Sequence, residues 1–186
     1  ENAKFNLLDP YATLVFNSQF GLNINAGARF NTHSEYGSQA VYNFNPSYSF
    51  ENLPLKVLAS YSTAFITPSL YQLYGPYGNL DLTPEENATA EFGFESQLLD
   101  KKLTINAVGF YREEENTFGF FTDPITFASN YINIDGTYNA KGVEASVRYS
   151  LSERFNIGGN YTFTEVEQQL NRLIPKHKGN VDLNYK

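Results

Sequence analysis

The feature of this chain that most limits its fold is a long alternation of apolar and polar residues. Even-numbered positions are apolar from Leu22 to Phe30, whereas odd-numbered positions from Asn23 to Asn31 are polar apart from one glycine. Only a strand, with its period of two residues, places these two sets on opposite faces. Seven further stretches repeat the pattern and a weaker one precedes them. The sequence therefore predicts nine strands: 11–17, 22–31, 40–50, 55–65, 88–98, 103–111, 143–151, 155–163 and 181–186.

The length of these strands distinguishes a membrane barrel from a soluble sheet. Most run for about nine to eleven residues, whereas strands in soluble proteins have about five or six. An eleven-residue strand is about 36 Å long, and a tilt of about 45° projects it onto the apolar height of about 25 Å of an outer-membrane barrel. The apolar phase also ends where a bilayer of this height would end. In one strand Glu113 and Glu115 follow Tyr111 in the same phase, and in another Lys141 precedes Val143.

The connections between the predicted strands alternate in length. Short turns on one side and long loops on the other are typical of outer-membrane barrels, whose long loops lie outside the cell. We therefore expect an all-β, antiparallel, up-and-down transmembrane barrel segment that forms one domain over residues 1–186. The predicted tight turns are 18–21, 51–54, 99–102 and 152–154, and the predicted long loops are 32–39, 66–87, 112–128 and 164–178.

Composition agrees with a barrel wall and excludes several functions. Charged residues within the strands, such as Arg29, Glu91 and Arg148, fall in the polar phase, which we assign to the lumen. The net charge of −7 argues against a nucleic-acid partner, because phosphate binding depends on clustered Lys and Arg. The chain has no Cys, which excludes thiolate metal sites and cysteine nucleophiles. It also lacks an apolar run near the ~20 residues that a membrane helix requires.

Three segments resemble parts of the TonB-dependent outer-membrane receptors in order and spacing. They are residues 61–85, residues 131–135 followed by 141–144, and residues 173–178. The resemblance covers residues 22–186, and Gln72-Leu-Tyr-Gly-Pro-Tyr-Gly-Asn79 is most similar to the members that transport vitamin B12 (cobalamin). It implies a barrel of about 22 strands, closed from inside by an N-terminal plug, that imports a scarce ligand. Because binding and import make or break no bond, we expect no enzymatic activity.

We expect the chain to be a fragment of the C-terminal half of such a barrel. Glu1 is not a start residue, and Lys186 falls within a predicted strand. The plug and the remaining strands would then lie outside this sequence, and the chain would supply barrel wall and outer loops. The resemblance implies the bacterial outer membrane as its location. The implied partners are outer-membrane lipid, a small-molecule ligand, and the energy-coupling protein TonB acting through the plug.

Two predicted outer loops carry the candidate ligand-binding residues. Tyr combines a large apolar body with a polar tip and few rotatable bonds, which suits a bulky amphipathic ligand. The alternative is that these rings pack the loops against their neighbours. The candidates are Tyr71, Gln72, Tyr74, Tyr77 and Asn79 in the first loop and Phe118 and Phe120 in the second.

No catalytic residue, cofactor or metal site is predicted. His33 and His177 lack partners at ligand spacing, and the acidic run 113–115 is interpreted as a solvated face. A barrel enzyme would need a nucleophile and a base at the outer rim, and none is evident. An iron-siderophore or haem receptor remains an alternative within the family. A soluble all-β binding or adhesion module would need shorter strands and an apolar inward phase.

Overall fold

The computed structural model describes residues 6–167 and 173–186. Within these residues the chain forms one antiparallel sheet of ten strands and one short helix. No helix among them is long and apolar enough to cross a membrane. The elements are β1 (Leu7–Leu8), β2 (Tyr11–Asn17), β3 (Leu22–His33), β4 (Gly37–Ser49), β5 (Leu55–Ile66), α1 (Leu70–Tyr74), β6 (Glu85–Leu98), β7 (Leu103–Thr122), β8 (Ser129–Ser150), β9 (Phe155–Val166) and β10 (His177–Tyr185).

Strands β1 and β2 together occupy one position at the edge of the sheet. Both pair with β3, with Leu7 opposite His33 and Tyr11 opposite Arg29. Pro10 lies between them and has no N–H to donate, but its carbonyl accepts a hydrogen bond from the Phe30 N–H at 2.9 Å. From β3 onward each strand pairs with the next one along the chain. The sheet thus has nine strand positions in up-and-down order, as predicted.

The strand register confirms the two faces that the sequence predicted. Residues directly opposite each other in antiparallel strands point to the same side of the sheet. Ile24 lies opposite Pro46, whereas the neighbouring Asn25 lies opposite Asn45. Over the first seven residues of β7 the same separation holds against β8: apolar pairs, such as Ala107 and the alanine that faces it, alternate with pairs that include a polar residue.

The apolar face of this sheet is not covered by any layer of protein in the described residues. Large apolar side chains along it, such as Phe92 and Val143, are exposed. The buried apolar side chains of the described residues are Leu82, Tyr138 and Ala140, all near the outer loops. A sheet with a wide uncovered apolar face and no dry core of its own requires another apolar environment. A lipid bilayer supplies it.

Two strands extend much further than the sequence predicted. β7 continues to Thr122 and β8 begins at Ser129, so the predicted loop 112–128 is wrong and the connecting turn is 123–128. The change from apolar to charged residues at Glu113 marks the end of the apolar phase and not the end of the strand. Beyond it, β7 and β8 form a hairpin that projects past the predicted lipid boundary.

Smaller corrections apply to two other connections. The predicted loop 32–39 contracts to residues 34–36, because β3 and β4 remain paired up to His33 opposite Gly37. β10 begins at His177 and not at residue 181, since its pairing with β9 starts with His177 opposite Phe163. The loop predicted at 66–87 is present as residues 67–84 and contains α1.

Candidate ligand-binding site

Helix α1 gives the first outer loop a defined shape. The Ser69 side chain accepts a hydrogen bond from the Gln72 N–H at 3.3 Å, and the Gln72 side-chain oxygen accepts one from the Ser69 N–H at 2.9 Å. This reciprocal arrangement is a capping box, which satisfies two N–H groups at the start of the helix. The Gly75 N–H donates to the Tyr71 carbonyl at 2.9 Å, and the helix ends there.

The loop 67–84 is attached to the outer part of β8 by hydrogen bonds. The Tyr131 N–H donates to the Tyr77 carbonyl at 3.0 Å, and the Asn79 side-chain amide donates to the Tyr131 carbonyl at 2.9 Å. Further along, the Thr83 N–H donates to the Asn133 side-chain oxygen at 2.8 Å. We call residues 67–84 and 117–134 together the outer unit.

Four aromatic rings of the outer unit meet edge to face. The Phe120 ring lies 5.4 Å from that of Tyr77 and 5.3 Å from that of Tyr131, at interplanar angles of 88° and 75°. The Tyr71 ring lies 6.3 Å from the Tyr131 ring, also at 75°. Aromatic pairs favour such T-shaped contacts. This ring cluster, formed by Tyr71, Tyr77, Phe120 and Tyr131, joins the two predicted loops into one surface.

Three of the predicted site residues belong to this ring cluster, and their side chains are exposed to solvent. Tyr71, Tyr77 and Phe120 are all exposed, with Phe120 at 53%. Tyr74 is exposed as well and lies near Tyr36, in the turn between β3 and β4. Burial raises the pKa of Tyr36 in that turn, and the nearby Tyr74 and Glu35 raise this pKa further.

The other predicted site residues shape the loops. The Gln72 side-chain oxygen belongs to the helix cap. The Asn79 carboxamide is bonded on both sides, because its oxygen accepts from the Asp81 N–H at 2.9 Å while its nitrogen donates to β8. The Phe118 N–H donates to a Glu85 side-chain oxygen at 3.3 Å. These three residues therefore hold the backbone that presents the rings.

Sequence reasoning missed three residues that the structure makes important here: Tyr131, Leu82 and Asn133. Tyr131 and Asn133 lie in a segment that was noted for its resemblance to the receptor family, and this was the available signal. Leu82 lies in residues 61–85, another of the segments that resemble the receptor family, so the same signal was available for it.

The acidic run 113–115 is only partly the solvated face that was predicted. Glu113 and Glu115 are exposed, but Glu114 is 4% exposed. Its side chain forms an ion pair with the Arg112 Nε at 3.0 Å. A buried carboxylate needs such a partner, because an unpaired buried charge is costly. In the described part of the chain, no group of three or more His, Asp or Glu side chains could hold a metal ion.

The outer unit carries no basic side chain. Residues 67–84 and 117–134 contain no Lys, Arg or His, and their acidic residues are Asp81 and Asp123. Backbone hydrogen bonds from Thr126 and Ile125 lower the pKa of Asp123, so it stays ionised in the turn of the hairpin at neutral pH. The surface that bears the ring cluster is therefore aromatic, rich in amides and hydroxyls, and free of positive charge.

Truncation of Leu82 is expected to loosen the outer unit. Leu82 is 2% exposed, and a buried Leu→Ala change costs about 2–5 kcal/mol. Hydrogen exchange of the amides in residues 67–84 of the Leu82→Ala protein should therefore be faster than in the wild type. Leu80→Ala is the matched control, because Leu80 is 67% exposed. Equal exchange rates in the two variants would contradict the buried position of Leu82.

Comparison with known proteins identifies the class of this chain. The family profile described as "TonB dependent receptor-like, beta-barrel" matches residues 4–186. The chain belongs to this family of outer-membrane receptors. It is therefore part of a bacterial outer-membrane β-barrel, and the matched proteins are receptors and transporters and not enzymes.

Particular relatives give a finer comparison. The chain is 36% identical over 129 residues to the vitamin B12 transporter BtuB of Vibrio cholerae serotype O1, a match that covers 68% of this chain and 20% of the relative. The siderophore receptor PirA of Pseudomonas aeruginosa has a similar fold, with a TM-score of 0.84 at 20% identity over 98% of this chain and 35% of that one. A variant of the ferric enterobactin receptor PfeA of Pseudomonas aeruginosa matches with a TM-score of 0.84 at 17% identity, over 98% and 30%.

The chain thus spans only about a fifth of the length of the curated relatives that it matches. The likeness to the siderophore receptors, at these identities, concerns the fold alone.

Proposed function

We propose that this chain serves in the TonB-dependent uptake of cobalamin across the outer membrane. Its part is to supply barrel wall and outer loops as one partial barrel domain over residues 1–186. The identity of 36% to a vitamin B12 transporter supports this ligand. Energy would come from TonB acting through a plug, as the family resemblance implies. The ring cluster would contact the ligand on the outer side of the membrane.

The observation that carries the choice of ligand is the ring cluster on a surface without positive charge. Cobalamin is neutral overall and presents a broad ring system with amide groups at its edge, so aromatic faces and amides suit it. Ferric complexes of catecholate siderophores are polyanions. Burying an anion without a cationic partner is costly, and the outer unit has no Lys, Arg or His to offer. The composition of the outer unit therefore favours cobalamin over such iron complexes.

Equilibrium binding to the full-length receptor tests this function. Purified protein in detergent is titrated with cyanocobalamin and, separately, with ferric enterobactin, and binding is followed by quenching of intrinsic fluorescence and by calorimetry. We expect saturable binding of cyanocobalamin with a dissociation constant below about 1 µM, which corresponds to about −8 kcal/mol. Ferric enterobactin should show no saturable binding. The reverse order of affinities would reject cobalamin as the ligand and support an iron-siderophore receptor.

A further inference from the structure

The side chain of Asn133 joins three separate segments of the outer part of the barrel. Its amide nitrogen donates to the Thr83 carbonyl at 2.9 Å and to the Asn116 carbonyl at 2.6 Å. Its oxygen accepts the Thr83 N–H at 2.8 Å. The donor and acceptor of one carboxamide therefore pair with both backbone groups of Thr83, as a neighbouring strand would. The same side chain also reaches β7 at Asn116.

The position of Asn133 depends on an irregularity in the β7–β8 hairpin. The pairing register shifts between Glu115 and Thr117, where Asn116 and Gly136 both have positive φ, at 54° and 111°. Such bulges change the direction of a strand and often lie beside functional sites.

Below the shift, even-numbered residues of β7 pair with even-numbered residues of β8, and above it they pair with odd-numbered ones. The shift therefore places Asn133 opposite Phe118, and Tyr131 opposite Phe120. Without the shift, Asn133 would not lie opposite Phe118, and Tyr131 would not lie opposite Phe120.

The chemistry of this contact requires a carboxamide. An Asp side chain of the same shape has no N–H donor when ionised, and it would place a carboxylate against the carbonyls of Thr83 and Asn116. A Leu side chain of similar size would leave all three backbone groups without this partner. Either change disrupts all three hydrogen bonds at once, so this one side chain can decide whether the loop stays attached to the hairpin.

We propose that Asn133 is a positioning residue that holds the loop 67–84 against the hairpin and so fixes the ring cluster before a ligand arrives. Asn133 is bonded to backbone and acts through the rings that it positions. Fixing these rings in advance lowers the entropy cost of binding. This inference deepens the proposed function and rests on it for the identity of the ligand. It makes a separate claim about the free receptor.

The test compares Asn133→Asp with Asn130→Asp in the full-length receptor. Asn130 undergoes the same chemical change, but within the described residues its amide makes a local hydrogen bond to the Tyr131 carbonyl, at 3.3 Å, and none to the loop 67–84. The first readout is hydrogen exchange of residues 67–84 in the absence of ligand. The second is the dissociation constant for cyanocobalamin. Outer-membrane level and heat-modifiable gel mobility report whether the barrel has assembled, and Asn133→Leu repeats the test without adding a charge.

We expect Asn133→Asp and Asn133→Leu to speed exchange in this loop and to weaken cyanocobalamin binding by about tenfold or more, with assembled barrels at wild-type level. Asn130→Asp should match the wild type. Unchanged exchange and affinity in both Asn133 variants would overturn the inference, as would failure of both to assemble, since a positioning residue outside the membrane leaves the barrel intact. If wild-type protein binds no cyanocobalamin while the variants still speed exchange, the proposed ligand fails and the positioning role stands.

Discussion

Replacement of Ala107 by Arg is expected to prevent assembly of the barrel, whereas replacement of its neighbour Asn106 by Arg is expected to be tolerated. Ala107 lies at the middle of the apolar phase of β7, opposite Ala145. Arg on the lipid face at mid-bilayer costs about 2–4 kcal/mol, and a mid-strand site leaves it far from either interface. Asn106 lies on the other face, opposite Ser146, where the side chain meets water or polar partners.

The measurement is the amount of each full-length variant in isolated outer membranes, together with its heat-modifiable mobility. The Ala107→Arg protein should be depleted and degraded, and the Asn106→Arg protein should be present near the wild-type level. Depletion of Asn106→Arg with normal assembly of Ala107→Arg would show that the faces have been assigned the wrong way round. The two variants are matched, because both changes lie in the same strand at nearly the same depth in the membrane and both introduce Arg.

Truncation of Phe120 is expected to have the largest effect on ligand affinity of any single change in the ring cluster. Phe120 contacts the rings of both Tyr77 and Tyr131, and each aromatic pair contributes about 0.5–1.5 kcal/mol beyond its buried area. Loss of both pairs and of the exposed phenyl face should weaken cyanocobalamin binding by about tenfold to a hundredfold. Phe127→Ala is the control, since Phe127 is 79% exposed in the turn of the hairpin.

Calorimetric titration of the two full-length variants decides between the two interpretations of these rings. Weaker binding in Phe120→Ala together with wild-type binding in Phe127→Ala supports contact with the ligand. Unchanged affinity in Phe120→Ala, with faster hydrogen exchange in residues 67–84, would mean that the rings serve to pack the loop. Residue type alone does not distinguish this alternative from ligand contact.

The sequence alone was sufficient to predict the strands and their faces, because a period of two can be read directly from residue order. In the adjacent pairs Ile24 and Asn25, and Ala107 and Asn106, residue type alone assigns the apolar member to one face of the sheet and the polar member to the other. The ends of β7 and β8 could not be read in this way. The alternation there changes from apolar to charged at Glu113 because the environment changes, while the backbone pairing continues.

The candidate site could be predicted in part. Tyr71, Tyr77 and Phe120 were named from residue type, but nothing in residue order indicates that two loops so far apart in the chain would share one surface. That contact depends on the register shift beside Asn116. The alternation of apolar and polar residues along the sequence does not reveal such a shift. The burial of Leu82 depends on tertiary packing alone.

In the assembled barrel, the apolar phase of each strand faces hydrocarbon and the polar phase faces an aqueous interior. Single cysteines for a nitroxide label are placed at each position from 103 to 111 of the full-length receptor in lipid vesicles, with any Cys outside this chain replaced; the chain itself has none. Electron paramagnetic resonance then compares collisions with oxygen, which concentrates in lipid, and with a water-soluble nickel chelate. We expect greater oxygen access at odd positions and greater nickel access at even ones, with a period of two. Reversed phases, or the same access at all nine positions, would contradict it.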